Sequence, residues 1–362
     1  MATRRAAPAT PRLAIAGFGR LARGYYLPAL RELGGIAPVA VADPLPASRE
    51  AAARALPRAR LYASAEAMLA EETLDAVLVA TPPSTHQAVW RLAAAAGVTA
   101  FMEKPFLLAH QLAAFVPPPA PAPPPMIDFN RRFWPAYRLL AAMVRTGQAG
   151  EVEHADLRLE VDARRWTGVT AHRSDPGEGG ALHDLGSHLL DLAWMLLGRE
   201  PVRVHARAGS RRWEHDHVEA ALELADGVTV DCALAYGGAN REQVTIHGSR
   251  GTIRLREPNA HLHLTLAGSR ASALREHLLD GAALAYRAAF RGRSLLRASI
   301  RGALGELIAA LGEGRAPSPG LEDALRNAAW LEAVQRAIAT GRPADIALSP
   351  TLSPARCATE SR

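Results

Sequence analysis

Lysine is almost missing from this chain of 362 residues. Lys104 is the single lysine among 42 basic residues, and all the others are arginine. Arginine keeps its proton in proteins, whereas lysine releases one when its surroundings lower its pKa. A chain that gives arginine nearly every structural task and lysine one position points to a need for an amine there. Codon bias would also thin out lysine, but it does not choose the neighbours. Lys104 stands in Met102-Glu103-Lys104-Pro105, just after the apolar run Val98 to Phe101. That is a strand end followed by a break, where open parallel sheets place their ligands.

Other scarcities exclude whole classes. Only Cys232 and Cys357 occur, far apart, so no disulfide framework or zinc ribbon is expected, and a reducing cytoplasm is the expected location. Aromatic residues make up 5%, which leaves few stacking platforms for nucleic acid, and the arginines behind the net charge of +6 are spread along the chain. No apolar run approaches the ~20 residues of a membrane span. The basic start, Met1 to Arg12, is followed by no apolar signal core. Hydrophobic residues are 49%, enough for a sizeable core, and the length suggests two domains.

From residue 13 to 101, short apolar runs alternate with helical stretches: strands at Leu13 to Ala16, Pro38 to Ala42, Leu74 to Ala80 and Val98 to Phe101, helices at Arg20 to Leu33, Ala47 to Ala55 and His86 to Ala95. This alternation implies a parallel sheet with helices on both faces. Residues 117 to 125 hold seven prolines in nine positions and read as a stiff polyproline connector near a domain boundary. Beyond it, alternating apolar and polar residues around 152–161, 218–224, 228–234 and 253–256 predict an antiparallel sheet covered on one face. A helix from Gly180 to Leu197 interrupts these strands, and another spans Leu321 to Thr340. Residues 270–301 are helical in pattern with seven Arg against two acids, and 349–362 read as a disordered tail.

Four motifs carry chemistry. Gly17-Phe18-Gly19-Arg20-Leu21-Ala22 follows a strand and opens a helix, the arrangement that seats a pyrophosphate on a helix end. Asp43 closes the second strand, where a carboxylate grips ribose hydroxyls; this favours NAD, while Arg49 nearby leaves NADP open. Thr81-Pro82-Pro83 ends another strand, with His86 opening the next helix. Glu103-Lys104-Pro105 places the amine at a strand's carboxyl end, and its X–Pro bond is a candidate for the cis form. In Gly179 to Asp191, Asp184 and His188 lie four apart on a helix and share a face. A carboxylate beside an imidazole raises its basicity and suits it to accept a hydroxyl proton. Gly180 and Gly186 within that helix suggest close approach of a bulky group. A metal reading of His183, Asp184 and His188 fits poorly, because His183 points away from His188. His215-Asp216-His217 and His261/His263 lie in strand pattern without a third ligand group, and no metal is expected.

Together these motifs, with Asn130-Arg131-Arg132-Phe133-Trp134-Pro135 and Ile246-His247-Gly248-Ser249-Arg250-Gly251, resemble the Gfo/Idh/MocA family over residues 12–348. The resemblance implies an α/β protein: a Rossmann dinucleotide-binding domain (1–126), then an α+β domain (127–348) with a large, mostly antiparallel open sheet that forms a homodimer or homotetramer. It implies an NAD(P)-dependent oxidoreductase acting on a sugar, cyclitol or sugar derivative. Lys104, Asp184 and His188 would be catalytic. Gly17, Phe18, Gly19, Arg20, Leu21, Asp43, Thr81, Pro82, Pro83, His86, Glu103 and Lys104 would line the cofactor. Arg132, Trp166 and His188 would meet the substrate. The family usually has a full helix at 106–125, where this chain turns to proline. Two other readings remain: an eliminating or glycoside-cleaving enzyme that uses NAD transiently, and a non-catalytic dinucleotide sensor.

Overall fold

The computed structural model describes residues 10–119, 121–165, 171–237, 240–257, 261–266 and 295–346. The chain divides into two compact units. One takes residues up to Phe106, Val116–Asn130 and Leu296–Leu321; the other takes Leu107–Phe115, Arg131–Leu295 and residues from Glu322 onward.

The first unit is built on six strands: β1 (Arg12–Ala16), β2 (Ala37–Ala42), β3 (Arg60–Tyr62), β4 (Ala76–Val79), β5 (Thr99–Met102) and β6 (Met126–Ile127). Their order is β3-β2-β1-β4-β5-β6, and every pairing is parallel. Leu13, Ile15, Val77 and Leu78 are fully buried, which is why β1 and β4 read as unbroken apolar runs rather than alternating ones. Helices α1 (Leu27–Leu33), α2 (Pro46–Ala55), α3 (Ala65–Glu71) and α4 (His86–Ala95) connect the strands. A π-turn at Ala22–Tyr26 precedes α1. Strand order reverses between β1 and β4, and the crevice outside the carboxyl ends at such a reversal is where open α/β sheets bind ligands. The proline-rich stretch leads straight into β6, so it feeds the sheet's edge strand and stays with this unit.

After Leu107–Phe115, the second unit continues with α5 (Pro135–Arg145) and β7 (Val152–Asp162). After the single turn α6 (Ala171–Ser174) comes α7 (Ser187–Leu197), then β8 (Pro201–Gly209), β9 (His217–Leu224), β10 (Thr229–Gly237), β11 (Arg241–Gly248), β12 (Gly251–Glu257) and β13 (His261–Leu266). Helix α8 (Leu295–Glu313) returns to the first unit, where Arg297 and Arg301 pair with Glu32 at 3.6 and 3.3 Å. Helix α9 (Leu321–Thr340) and the short β14 (Ala344–Asp345) complete the second unit.

The eight strands there run β13-β12-β11-β7-β10-β9-β8-β14. The sheet is mixed: β7 and β10 are parallel, and the other neighbours antiparallel. One face is apolar, where Leu157, Leu222, Val230 and Val244 share a core with Leu140, Leu189, Trp330 and Leu331 from α5, α7 and α9. The opposite face is polar; along β7 buried Ala155, Leu157 and Leu159 alternate with the more accessible His154, Asp156, Arg158 and Glu160. Among the described residues no helix is long and apolar enough to cross a membrane. The expected tail at 349–362, with Cys357, and the Arg-rich segment up to 294 lie outside the described residues.

Candidate active site

Three loops leave the carboxyl ends of neighbouring strands β1, β4 and β5 in the first unit. After β1, Gly17 turns the chain with φ +87°, and a Cβ there would meet Ala80 O at 2.6 Å. Backbone, not a movable side chain, blocks that position, so only glycine fits. In front of Gly19 nothing lies within 4 Å of where a Cβ would sit. A loop with open space before its second glycine, running into a helix at Arg20, suits a pyrophosphate. Asp43 at the end of β2 is fixed beside this loop: Oδ2 accepts the Phe18 N–H at 2.8 Å and Oδ1 the Leu45 N–H at 2.9 Å. Each carboxylate oxygen keeps a further lone pair for a ribose hydroxyl. Arg49 Nη1 donates to the carbonyls of Asp43 and Pro44, both at 2.8 Å, so its guanidinium braces the β2 turn. These residues fit an NAD adenosine and pyrophosphate.

After β4, Thr85 Oγ1 donates to Pro82 O at 2.8 Å, closing the Thr81-Pro82-Pro83 turn. His86 is fully buried, with Nδ1 2.7 Å from Pro105 O and Nε2 2.9 Å from Thr81 O. The imidazole therefore ties the loop after β4 to the loop after β5. In the latter, the Lys104–Pro105 peptide is cis. The carboxylate of Glu103 accepts the Lys104 backbone N–H at 3.1 Å through Oε2, and its Oε1 bonds the phenol of Tyr26. Tyr26 also contacts Asp128 Oδ2 at 2.5 Å. Burial drives the Asp128 carboxyl well above its ordinary range, and the charge of Glu103 adds to the shift. Tyr26 and Asp128 were not singled out from sequence; an acid flanked by Ile127 and Phe129 in an apolar strand end is the signal that could have marked Asp128.

In the second unit, Asp184 lies in a π-turn, Leu182–Gly186, that runs directly into α7. The helix expected from Gly180 is present, but with this wider turn inside it. The π-turn closes i→i+5 hydrogen bonds, a wider winding than the α-helix expected here. Asp184 Oδ2 accepts the Tyr236 hydroxyl at 2.9 Å and lies 3.5 Å from Arg173 Nε. Burial, then the charge of Asp184, raises the Tyr236 phenol well above its usual pKa. His188 follows, buried, one residue into α7. Gly186 explains why the helix approaches its neighbours so closely: a Cβ would sit 3.0 Å from Leu182 Cδ1 and 3.2 Å from Leu234 Cδ2. Gly180 has a different reason from the one expected, because it opens the helix at φ +59° rather than sitting in its interior.

Arg132 grips Asp191 through Nε and Nη2 and reaches Asp323 at 2.8 Å. Burial raises Asp191 to about 6 against the pull of that guanidinium. His183 is neutral by its contacts: Nδ1 donates to Gly179 O at 2.8 Å and Nε2 accepts the Ala109 N–H at 3.0 Å. Burial lowers its pKa to about 4, and no lone pair is left for a metal. The His215–His217 segment is partly a turn rather than strand, with Asp216 accepting the N–H groups of Arg211, Arg212 and Trp213. Trp166 lies outside the described residues.

Residues 11–115 match the oxidoreductase family with an NAD-binding Rossmann fold, and residues 137–254 match the GFO/IDH/MocA C-terminal domain. The chain belongs to the Gfo/Idh/MocA oxidoreductase family. It is 30% identical to D-apiose dehydrogenase of Paraburkholderia graminis over 364 residues, covering 96% of this chain and 93% of that enzyme. It is also 30% identical to an inositol 2-dehydrogenase of Rhizobium meliloti over 266 residues, covering 67% of this chain and 75% of the relative. Among solved structures, levoglucosan dehydrogenase in complex with NADH superposes with a TM-score of 0.78 at 20% identity, over 94% of this chain and all (100%) of that one. The fold and the NAD-binding character of the first unit are thereby shown, and the protein is an NAD-dependent oxidoreductase.

Proposed function

We propose that this enzyme interconverts a secondary hydroxyl and a carbonyl on a sugar, cyclitol or sugar derivative. The observation that supports this most is the alignment of the glycine loop, the Thr81-Pro82-Pro83 turn and the Glu103-Lys104-Pro105 loop along one edge of a parallel sheet. Relatives named for apiose and inositol supply the substrate class. Bound NAD supplies the hydride acceptor at its nicotinamide ring. In the oxidative direction an imidazole nitrogen of His188 takes the hydroxyl proton as the carbon-bound hydrogen leaves as hydride. Asp184, held in orientation by Tyr236 and Arg173, stabilises the resulting imidazolium. The Lys104 ammonium hydrogen-bonds the substrate oxygen and offsets its developing negative charge.

Two finer readings accompany this one. The polar open face of the second sheet is proposed to mediate a homodimer or homotetramer, which light scattering of the purified chain tests. A reducing cytoplasm suits Cys232, a buried free thiol that burial pushes up to about 12.

The deciding experiment is a spectrophotometric screen for NADH and NADPH formation across aldoses, polyols, inositols and nucleotide sugars. Turnover is expected with at least one class, and Lys104→Arg should lose most of it, because arginine keeps the charge but is larger and does not titrate. Normal turnover by Lys104→Arg would overturn the catalytic assignment, and silence across every class would overturn the substrate assignment.

A further inference from the structure

Both ring nitrogens of His86 face backbone carbonyl oxygens. The ring opens α4 and is fully buried. Nδ1 lies 2.7 Å from Pro105 O, and Nε2 lies 2.9 Å from Thr81 O. A carbonyl oxygen only accepts hydrogen bonds. A neutral imidazole has one N–H, so its other nitrogen would turn a lone pair toward a carbonyl lone pair at hydrogen-bond distance. Turning the ring over gives no relief, because it takes both nitrogens away from these oxygens. His183, buried in the second unit, has the contrasting pattern. Its Nδ1 meets the Gly179 carbonyl and its Nε2 the Ala109 N–H, one acceptor and one donor, which a neutral ring satisfies.

The two lengths agree with a charged ring. Hydrogen bonds from an ionised nitrogen shorten to about 2.7–2.9 Å and are roughly twice as strong as neutral ones. Burial and the start of a helix both work against a cation. Charged side chains of the first unit do not decide the matter. On the elements packed around the ring, Glu103 and Lys104 of the loop after β5 carry opposite charges. Arg91 on α4 and Glu66 and Glu71 on α3 are exposed, and β4, β5 and the loop after β4 carry no charge. The two carbonyls hold the proton, since losing it would set a lone pair against one of them.

We infer that His86 is held as an imidazolium, donating from Nδ1 to Pro105 and from Nε2 to Thr81, and that this doubly donating ring is a positioning residue for Lys104 and for the Thr81-Pro82-Pro83 turn. Pro105 follows Lys104 directly, and Thr81 opens the turn after β4. One ring therefore sets the spacing between two loops that the proposed reaction assigns to cofactor and substrate. The charge of the ring stands without that reaction; the positioning role rests on it. Deprotonation removes one of the two donors. The loops then lose a tie, and cofactor affinity falls on the alkaline side.

The test is nitrogen NMR of the isotope-labelled full chain, with NADH affinity followed by fluorescence in the same samples between about pH 6 and 10. The His86 signals are recognised by contacts of the ring protons with Thr81 and Pro105, and by their loss in His86→Gln. At about pH 7 both nitrogens of His86 should carry protons, while His183 shows one protonated nitrogen and serves as the internal reference. A bare nitrogen on His86 at that pH would overturn the inference, whether or not the variant folds. NADH affinity should hold while the ring keeps both protons and weaken at least tenfold across any interval in which it loses one. His86→Gln, which has no proton to lose, should start weaker and show no such step. An affinity that falls while the ring stays doubly protonated, or a step that persists in His86→Gln, would remove the positioning role. Neither readout uses substrate turnover, so failure here leaves the proposed reaction standing.

Discussion

The phenol oxygen of Tyr26 stands 2.5 Å from Asp128 Oδ2 while also bonding Glu103, so one hydroxyl serves two buried carboxylates. A phenol has one proton to donate, and the second contact therefore requires a protonated carboxyl. Asp128 is the acid whose protonated form the fold favours, chiefly through burial and then through the charge of Glu103. Removing the hydroxyl leaves two buried acids without their common partner. Tyr26→Phe should lower stability by about 1–3 kcal/mol, the cost of leaving buried polar groups unsatisfied. Urea unfolding followed by circular dichroism measures it; an unchanged midpoint would show that the triad contributes nothing.

The same acid gives a pH dependence with a definite sign. Its folded pKa lies above the unfolded value of about 3.9, so its contribution to stability is present below that value and is lost as pH rises through the raised folded value. Asparagine has no such proton to lose. The urea midpoint of Asp128→Asn should therefore fall less than that of the wild type as pH climbs above 4, and parallel curves would refute the assignment.

His183 works in the opposite direction. Its folded pKa is lowered to about 4, chiefly by burial. Its contribution is present above the unfolded value of about 6.5 and is lost as pH falls toward 4. Roughly 3 kcal/mol is at stake across that window. A His183→Gln chain should be weaker at pH 7 yet lose less on acidification, which melting curves between pH 7 and 4.5 would reveal.

Tyr236 donates its hydroxyl to Asp184 Oδ2 at 2.9 Å, and in the proposed reaction it positions that carboxylate. Its hydroxyl-to-carboxylate bond is worth about 1.5–3 kcal/mol to a charged acceptor. Tyr236→Phe should lower kcat about tenfold with little change in KM and move the acidic limb of the pH–rate profile. A change confined to KM would place Tyr236 in substrate binding instead.

Gly17→Ala should abolish NADH binding, since a methyl group would strike the Ala80 carbonyl and the backbone conformation disfavours a side chain. Fluorescence titration with NADH reads this directly, and wild-type affinity in the variant would contradict the loop geometry.

Much of the first unit could be read from sequence because its strands are buried on both faces and bounded by glycine, proline or aspartate. The helices at His86–Ala95 and Leu321–Thr340 appeared where periodicity put them. β3 went unread because it is three residues long with two of them exposed, which leaves almost no apolar pattern. α3 was missed although Ser64 caps it, its Oγ accepting the Ala67 N–H at 3.2 Å. The parallel pairing of β7 with β10 joins strands more than sixty residues apart, a long-range choice that local alternation does not record. Within the site, the chemistry-bearing types were visible as motifs, but their supports were not. Tyr236 and Asp128 reach their partners across long stretches of sequence, and the π-turns at Ala22–Tyr26 and Leu182–Gly186 leave no periodic trace in five residues.

The polypeptide passes from one unit to the other five times, at 106/107, 115/116, 130/131, 295/296 and 321/322. Neither half is therefore a contiguous gene fragment. A product truncated after residue 130 would lack α8, leaving the surface that Ile300, Leu304 and Leu307 normally shield open to water and prone to aggregate. Domain swaps between relatives would have to exchange three stretches at once, so recombination in this lineage is expected to favour whole-chain replacement over modular shuffling.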